Sequence, residues 1–438
     1  MRAFAPEIIS IENFVEELST LKKVAPVDLI FEFYAAYQDV CDEKNRDSFD
    51  QFLGWASVIL SDFNEMDAHL VNVKTLFDFQ FSLQEMTQWA HNEDQSNLIQ
   101  NHLEFWRIMP ALYESLSQRL QQKQQATLGL ILREAVANLE FYLNQTDKYH
   151  YFVGFNALNE SESQIIQGFI SRKKGKVYWD IDYHFFQDKV HAAGKFIRKY
   201  HREWKSLRAK PTSFKKNYTK TKKIEVIGVS KNVAQAKYAT QLAAQLATDH
   251  PDEKTAVVFG NETMLTPAIS AIDDVALTWN VTMGYPLKET PTADFFELFF
   301  QLHLNTKKGS FFYKNFKSLL STPWCLSLLQ FHNLNLEEYL KEIEAKNLFR
   351  FSQNKLYALD NTKAINHCFF APVDSIAGFL SRLIRICDFY TDFLEQTNET
   401  DAALHLAYFQ KFKSLFNQLE AIHQKYAFIE NLPLLLLV

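Results

Sequence analysis

The most regular hydrophobic pattern of the chain extends from Phe49 to Trp89. Its apolar residues recur every three or four positions, the spacing of one face of an α-helix. They are Phe49, Phe52, Leu53, Ala56, Ile59, Leu60, Phe63, Met66, Leu70, Val73 and Phe77. Asp62, Glu65 and His69 would share the surface of this helix, which is geometrically possible for a metal ion. Charged residues at such positions are more typical of a helix face in contact with water, and we interpret them so.

Similar but shorter patterns predict further helices along the whole chain. The predicted helices begin at residue 12 and cover residues 29–40, 103–120, 127–143, 295–304, 311–320, 336–343, 377–393 and 401–426. A strand is predicted at residues 7–11, before the first helix. The chain is therefore expected to be rich in helices.

A different pattern, two short apolar runs separated by a helical segment, appears after the first five predicted helices. Residues 151–153 are aromatic and β-branched, and Gly154 follows them, as expected for a buried strand that ends in a turn. Ser161 and Gln164 have the spacing of a capping box, so we predict that a helix begins there. Residues 177–179 predict a second strand. This order of elements is the building block of a parallel sheet.

The carboxyl ends of the strands are where parallel sheets bind their ligands. An ATPase of the superfamily 1 helicase type would have two adjacent carboxylates at the end of its first strand, one for Mg²⁺ and one to orient the attacking water. This chain has Gly154 and Phe155 there, which can neither bind a metal ion nor accept a proton. The second strand ends in Asp180 and Asp182. These residues fit either a nucleotide-hydrolysing scaffold that lacks its hydrolytic groups or an ordinary strand–helix–strand unit.

Apolar runs in the second half of the chain predict another α/β region. Residues 224–229 and 255–259 are predicted strands on either side of a helix at residues 234–247. Residues 277–287 predict a further strand and turn. The fold class is therefore α/β and helix-rich, with a second domain that begins near residue 224.

Composition narrows the possible chemistry. The 438 residues include only 11 Gly, and the chain contains neither G-x-x-x-x-G-K-[ST] nor G-x-G-x-x-G. The four cysteines are far apart, so they indicate neither a zinc site nor a disulfide framework, and reduced thiols are expected. The N-terminus lacks the apolar core of a signal peptide, and residues 432–438 are too few to span a bilayer. We therefore predict a cytoplasmic protein without a membrane partner.

Residues 172–223 differ from the rest in charge. They contain 17 lysines and arginines but four acids, a net charge of +13 in a chain whose total is −6, so the remainder carries −19. Cationic residues at helical spacing alternate there with aromatic ones, a combination that attracts phosphates and can stack on bases. The predicted DNA-binding residues are Lys195, Arg198, Lys199, Arg202, Trp204 and Lys205. The alternative is a helix in contact with water, followed by a mobile lysine-rich linker between domains.

Five segments in a fixed order carry a resemblance to a known family. They are FLGWASVILSDFNEMD (52–67), LGLILREAVANLE (128–140), FVGFNALNESE (152–162), VYWDIDYHF (177–185) with HAAGKFIRKY (191–200), and NVTMGYPLKETPTADFF (280–296). In these segments the chain resembles the helicase-like region of bacterial AddB/RecB-type proteins, which belong to the PD-(D/E)XK nuclease family. The ordered set spans most of the chain and is more specific than any single segment.

The resemblance implies two incomplete RecA-like domains, similar to those of superfamily 1 helicases. Residues 1–48 would begin the first domain without its phosphate-loop strand, residues 49–150 would be a helical insertion, and residues 151–208 would be the remainder. Residues 209–223 would form a basic linker. Residues 224–293 would be an incomplete second domain, and residues 294–438 its helical insertion. The chain would be the central part of a longer protein.

The resemblance also implies a function in DNA double-strand-break repair and recombination. The chain would be the non-hydrolysing, DNA-binding scaffold of a nuclease, with duplex ends or single strands and a helicase or nuclease subunit as partners. The nuclease domain is not matched, so no catalytic residue and no metal site are assigned. Gly154, Phe155, Asp180 and Asp182 would be remnants of motor motifs, so ATP and Mg²⁺ are not expected as cofactors. The alternative function is a helical protein-interaction scaffold that binds no nucleic acid.

Overall fold

The computed structural model divides the chain into two compact units, Met1–Lys222 and Lys223–Leu437. The structure describes residues 6–88, 96–208, 214–272, 278–306, 309–331, 340–341, 344–345, 349–352, 369–371, 373, 375–396 and 402–426. The division between the units falls beside residue 224, where the sequence predicts that a second domain begins.

The first unit consists mainly of helices. They are α1 (Ile11–Ser19), α2 (Pro26–Val40), α3 (Phe49–Ala68), α4 (Val73–Gln88), α5 (Ser96–Gln122), α6 (Leu128–Gln145), α7 (Glu160–Ser171), α8 (Tyr183–Gln187), α9 (Lys195–Glu203) and α10 (Lys205–Arg208). Its described strands are β1 (Lys22–Lys23), β2 (Gln125–Ala126), β3 (His150–Val153) and β4 (Gly175–Tyr178). The short strands β1 and β2 pair in parallel.

The long periodic run of the sequence forms two helices, α3 and α4, instead of one. Leu70 has φ of 56°, a left-handed conformation in which the helix cannot continue. The Asn72 side chain then accepts a hydrogen bond of 3.0 Å from the Thr75 amide, which caps the start of α4. The predicted start of α3 is confirmed, because Ser48 and Gln51 form a capping box there.

The strand predicted at residues 7–11 is absent, and residues 6–10 are irregular. Ser10 has a different role, because its side chain caps α1 by accepting a hydrogen bond from the Asn13 amide at 3.2 Å. The local preference of the residues for a strand was overridden by this cap, and no neighbouring strand pairs with the segment among the described residues.

The predicted strand–helix–strand unit is confirmed as β3–α7–β4. The two strands pair in parallel, with Phe152 opposite Val177. Both side chains point into a core that includes Ile165, Ile166 and Phe169 of α7. The capping box was predicted two residues too late: it consists of Asn159 and Glu162, which bond to each other's amides at 2.8 and 3.0 Å. The burial of one strand face thus follows from packing on α7.

The second unit is also largely helical in its described part. Its helices are α11 (Asn232–Asp249), α12 (Leu265–Ile272), α13 (Pro291–Leu304), α14 (Tyr313–Leu320), α15 (Pro323–Phe331), α16 (Ile376–Gln396) and α17 (Ala402–Lys425). Two strands, β5 (Ser310–Phe312) and β6 (Arg350–Ser352), pair antiparallel. The predicted helix at residues 336–343 falls largely outside the described residues.

The parallel strands predicted for the second unit are not formed. Residues 224–229, 255–259 and 278–282 are irregular. Val226 is 95% exposed, and Ile224 and Val258 are also exposed, so their apolar side chains contact no core. The structure therefore has helix-rich units with two-stranded parallel pairs in the first, and the two RecA-like sheets are not seen in its described part.

Aromatic residues form the core of the later helices. Phe295, Phe296 and Phe299 of α13 are buried, and the Phe299 ring stacks on that of Phe379 of α16 at 5.8 Å between centroids. Tyr390 of α16 stacks on Phe409 of α17 at 4.7 Å. The helical character predicted from residue 294 onward is thus confirmed for these elements. Among the helices that the structure describes, none is both long and apolar enough to cross a membrane.

Candidate nucleic-acid interface

The carboxyl end of β3 is a tight turn without acidic side chains. Gly154 has φ of 86°, a conformation that glycine adopts without steric cost. Phe155 is half-buried and packs against the core of the first unit. These two residues, predicted as remnants of a motor motif, are thus accounted for by a turn and by packing.

The carboxyl end of β4 contains two acids in different situations. Asp180 is exposed. Asp182 caps α8 by accepting a hydrogen bond from the His184 amide at 2.9 Å. Its other oxygen accepts hydrogen bonds from the amides of Asn217 and Tyr218 at 2.6 and 2.9 Å. These hydrogen bonds hold the pKa of the Asp182 carboxyl below its usual value, the one from His184 contributing most.

The hydrogen bonds of Asp182 engage both oxygens of its carboxylate. Across the described ranges, no group of three or more His, Cys, Asp or Glu side chains is placed to hold a metal ion. Asp62 and Glu65 of α3 form no such group with His69, which follows the helix. The geometry at the end of β4 serves to attach a downstream segment of chain.

That downstream segment is the part of the predicted linker that follows residue 213. The linker was expected to be mobile, but its first described residues are packed on α8. The Tyr183 amide donates to the Lys215 carbonyl at 3.0 Å. The Tyr218 ring stacks on His184 at 4.9 Å. The Phe214 ring contacts Phe186 at 4.7 Å. Attachment to α8 therefore gives the lysines of this segment defined neighbours.

Helix α9 has one buried side, which positions its cations on the other. Ile197 and Tyr200 are buried, and the Tyr200 hydroxyl accepts a hydrogen bond from the Leu158 amide at 2.7 Å. Trp204, which follows the helix, is 3% exposed and lies 5.0 Å from Tyr200 and 5.8 Å from Trp179. Its ring is part of the core, so it offers no accessible face to a base in this conformation.

Arg198, predicted as a DNA-binding residue, instead forms hydrogen bonds within the chain. Its guanidinium donates to the carbonyls of Phe185 at 2.6 Å and His191 at 2.7 Å, with a longer contact to Lys189 at 3.4 Å. It thereby holds the loop between α8 and α9. A guanidinium that satisfies two or three carbonyl oxygens has few donors left for a phosphate. Arg198 is therefore a residue that positions the loop.

The remaining four candidates lie on the exposed side. Lys195, Lys199 and Arg202 are three or four residues apart on α9, so they share one face, and Lys205 follows on α10. Glu203 is 3.0 Å from Arg202 and 3.9 Å from Lys199. It is the only acid between residues 195 and 223 of the sequence. One acid cannot neutralise this face.

Sequence reasoning assigned the lysines after residue 213 to a linker and did not include them in the site. The structure places Lys216 over the Tyr183 ring at 4.6 Å and Lys222 over the Tyr218 ring at 4.2 Å. The signal that could have identified them is the aromatic residue near each cation, Phe214 and Tyr218. We call these exposed cations of the first unit the basic surface: Lys195, Lys199, Arg202, Lys205, Lys215, Lys216, Lys220 and Lys222.

The chain matches no family model and no curated protein. The resemblance to AddB/RecB-type proteins therefore depends on the quoted segments, and it stays a prediction.

Proposed function

We propose that this chain binds DNA through the basic surface and acts as the non-hydrolysing, helicase-like part of a nuclease in double-strand-break repair. The observation that supports this proposal most is the framework of the basic surface. Its cations lie on α9, on α10 and on the segment after residue 213, which the Asp182 carboxylate attaches to the start of α8. A surface whose cations are held by folded structure can contact several phosphates at once without ordering a free chain.

The site offers no chemistry of its own for hydrolysis. Phosphoryl transfer by helicase-type motors depends on a phosphate-binding loop and on Mg²⁺ positioned by carboxylates. Gly154 and Phe155 provide neither, and Asp182 is engaged with three amides. The proposed activity is therefore binding, with ATP and Mg²⁺ expected to leave it unchanged.

The test is fluorescence anisotropy of the full chain with a duplex that carries a single-stranded tail, measured over a salt series. Affinity should fall steeply with salt, because each phosphate contact releases counterions. Reversing Lys199 and Arg202 to Glu should remove about two contacts and lower the log–log salt slope by roughly two. Arg198 is left intact because its substitution would disturb the loop.

Two further variants sharpen the experiment. Glu203→Lys removes the acid beside Lys199 and Arg202, and it should strengthen binding. Reversal of Lys44 and Lys74, exposed residues outside the basic surface, makes the same change in net charge and should leave binding nearly unchanged. Equal losses in the control and the test variants would contradict the proposed surface.

A second candidate function, the helical protein-interaction scaffold, is favoured by a separate observation. Ile224, Val226 and Val258 expose large apolar side chains in irregular segments of the second unit. Ile224 and Val226 are two residues apart, and exposed apolar residues that lie together are typical of a partner-binding surface. If the wild-type chain binds no DNA at low salt, this function takes precedence over the first.

A further inference from the structure

The outer face of the β3–β4 pair carries exposed aromatic side chains. Side chains alternate along a strand. The neighbours of the buried Phe152 in β3, and those of the buried Val177 in β4, therefore include residues that point away from the core. Tyr149, Tyr151 and Tyr178 on this side are 50%, 62% and 44% exposed, and Val153 is exposed as well. Tyr151 exposes more than half of its surface, and exposed apolar rings that lie close together are typical of a binding surface.

The rings form a continuous surface. The centroids of Tyr149 and Tyr151 are 5.1 Å apart, and those of Tyr151 and Tyr178 are 6.1 Å apart with an angle of 32° between the planes. Lys176 lies opposite Tyr151 in the strand register, and its Nζ is 4.5 Å from the centre of the Tyr178 ring. We call these residues (Tyr149, Tyr151, Val153, Lys176 and Tyr178) the tyrosine face.

We propose that the tyrosine face binds single-stranded nucleic acid, with bases stacked on Tyr151 and Tyr178 and a phosphate at Lys176. Aromatic side chains on neighbouring strands are a general means of stacking two or three unpaired bases. Stacking is tolerant of sequence, because every base has a π-face. The lysine among the rings supplies the charge that a phosphate between two stacked bases requires.

Charge argues against a second copy of the chain as the occupant. A two-fold interface centred on this face would bring two copies of Lys176 together among apolar rings. Lysine is depleted at the centres of protein interfaces, because burying an unpaired ammonium is costly. Phosphate offers the complementary charge.

This inference rests on the proposed nucleic-acid function but concerns a different surface and a narrower ligand. The basic surface would bind any phosphate backbone. The tyrosine face would add affinity only where bases are unpaired, because the bases of a duplex are already stacked on each other.

The experiment compares two probes on the full chain at fixed salt: a fluorescein-labelled oligo(dT) of about 15 nucleotides and a duplex of equal length. Tyr151→Ala with Tyr178→Ala should weaken binding of oligo(dT) about tenfold or more, the loss expected from removing base–aromatic stacking. Duplex binding should not change. Both residues are exposed, so the fold is expected to persist, and circular dichroism checks this. Phe79→Ala, which removes an exposed aromatic ring from α4, is the matched control and should change neither affinity.

A second measurement detects stacking directly. Oligo(dT) that carries 5-iodouracil forms photo-induced cross-links with aromatic rings in stacking contact, and mass spectrometry should locate them at Tyr151 or Tyr178. Unchanged oligo(dT) affinity together with cross-links only elsewhere would overturn the proposal. An equal loss for both probes, or a wild-type dimer that the double variant converts to monomer, would overturn it as well.

The two proposals fail in different ways. If reversing Lys199 and Arg202 abolishes binding while the tyrosine variants have no effect, the tyrosine face alone is wrong. If only the tyrosine variants matter, the basic surface is wrong. A wild-type chain that binds neither probe at low salt overturns both.

Discussion

The β3–β4 pair and the segments at residues 224–229 and 255–259 follow the same kind of sequence pattern but have different structures. In both regions, short runs that contain β-branched residues lie next to a helix. The first forms a parallel pair, whereas the second remains irregular with Val226 exposed. The difference lies in what each run can pack against.

The strands of the first unit rest on a large apolar layer. Phe152 and Val177 belong to a buried cluster that extends over α1, α6 and α7. Near the second pair of segments the buried cluster consists of Ala236, Met264 and Ala268, with Phe259 partly buried against it. Small side chains bury little area, so pairing the strands there would not offset the entropy of ordering them. Strand propensity becomes a strand only where a face is buried.

The largest expected effect on stability comes from a substitution in the apolar layer beneath the tyrosine face. Phe169 of α7 is fully buried and touches the rings of Phe152 and His150 at 5.5 and 4.4 Å between centroids. Phe169→Ala should lower the free energy of unfolding of the first unit by about 3–5 kcal/mol, because it leaves a cavity beneath the sheet. Urea unfolding followed by circular dichroism measures the change.

Val226→Ala is the matched truncation in the second unit. Its side chain is exposed, so the loss should be at most about 0.5 kcal/mol. A loss comparable to that of Phe169→Ala would mean that residues 224–229 are packed in solution, and the contrast between the two regions would then disappear.

The next effect concerns the well-packed part of the second unit. His303 is buried, and its Nε2 is 2.9 Å from the Phe369 carbonyl. Burial lowers the pKa of His303 to about 4, with a smaller contribution from the charge of Arg382. The pKa of a histidine is about 6.5 in the unfolded chain. Between this pH and about 4 the unfolded chain binds a proton that the folded chain does not, so the free energy of unfolding is highest above pH 6.5 and decreases as the pH falls toward 4.

Protonation of His303 in the unfolded chain should lower the free energy of unfolding by about 3 kcal/mol. Urea midpoints at pH values of about 7.5 and 4.5 measure it against His303→Gln, which does not titrate in this range. The variant should lose less stability than the wild type between the two pH values. The same pH dependence in both proteins would show that His303 binds a proton equally well in the folded and unfolded chain. His303 would then be exposed to water in solution, as Val226 is in the structure.

Much of the local structure was predictable from the sequence. Hydrophobic spacing identified the positions of α3, α6 and α13, and the short apolar runs identified the β3–α7–β4 unit. Cations at helical spacing, alternating with aromatic residues, identified α9. The predictions that were wrong followed local patterns that the packing or a single residue overrode. The β-branched run at 224–229 predicts a strand, but the alanine-rich helix that follows offers little apolar surface to cover it. The periodic run through residue 70 predicts one helix, and its spacing does not indicate the left-handed turn at Leu70.

The candidate site shows the same limit at the level of single side chains. Arg198 and Arg202 are both arginines at helical spacing, and the sequence treats them alike. The structure separates them: one donates to the carbonyls of Phe185 and His191, and the other is exposed beside Glu203. Which cation meets a carbonyl depends on how the loop before α9 folds back, and this is not encoded in the spacing of charges.

The smallest expected effect concerns the attachment of the basic surface. Asp182→Ala removes the acceptor for the amides of Asn217 and Tyr218, so the segment should detach from α8 while the rest of the unit stays folded. Limited trypsin digestion should cleave faster after Lys215 and Lys216 in this variant, with little change in the unfolding midpoint.

Asp180→Ala is the matched control for Asp182→Ala, because Asp180 is an exposed acid two residues away in the same connection. Its cleavage pattern should equal that of the wild type. If both variants are cleaved at the wild-type rate, the packing of Tyr218 on His184 and Phe185 suffices to hold the segment. If only Asp182→Ala is cleaved faster and also shows weaker DNA binding with a lower salt slope, then one cap at the end of β4 organises the lysines that follow it, a role that the motor-motif interpretation of Asp182 does not predict.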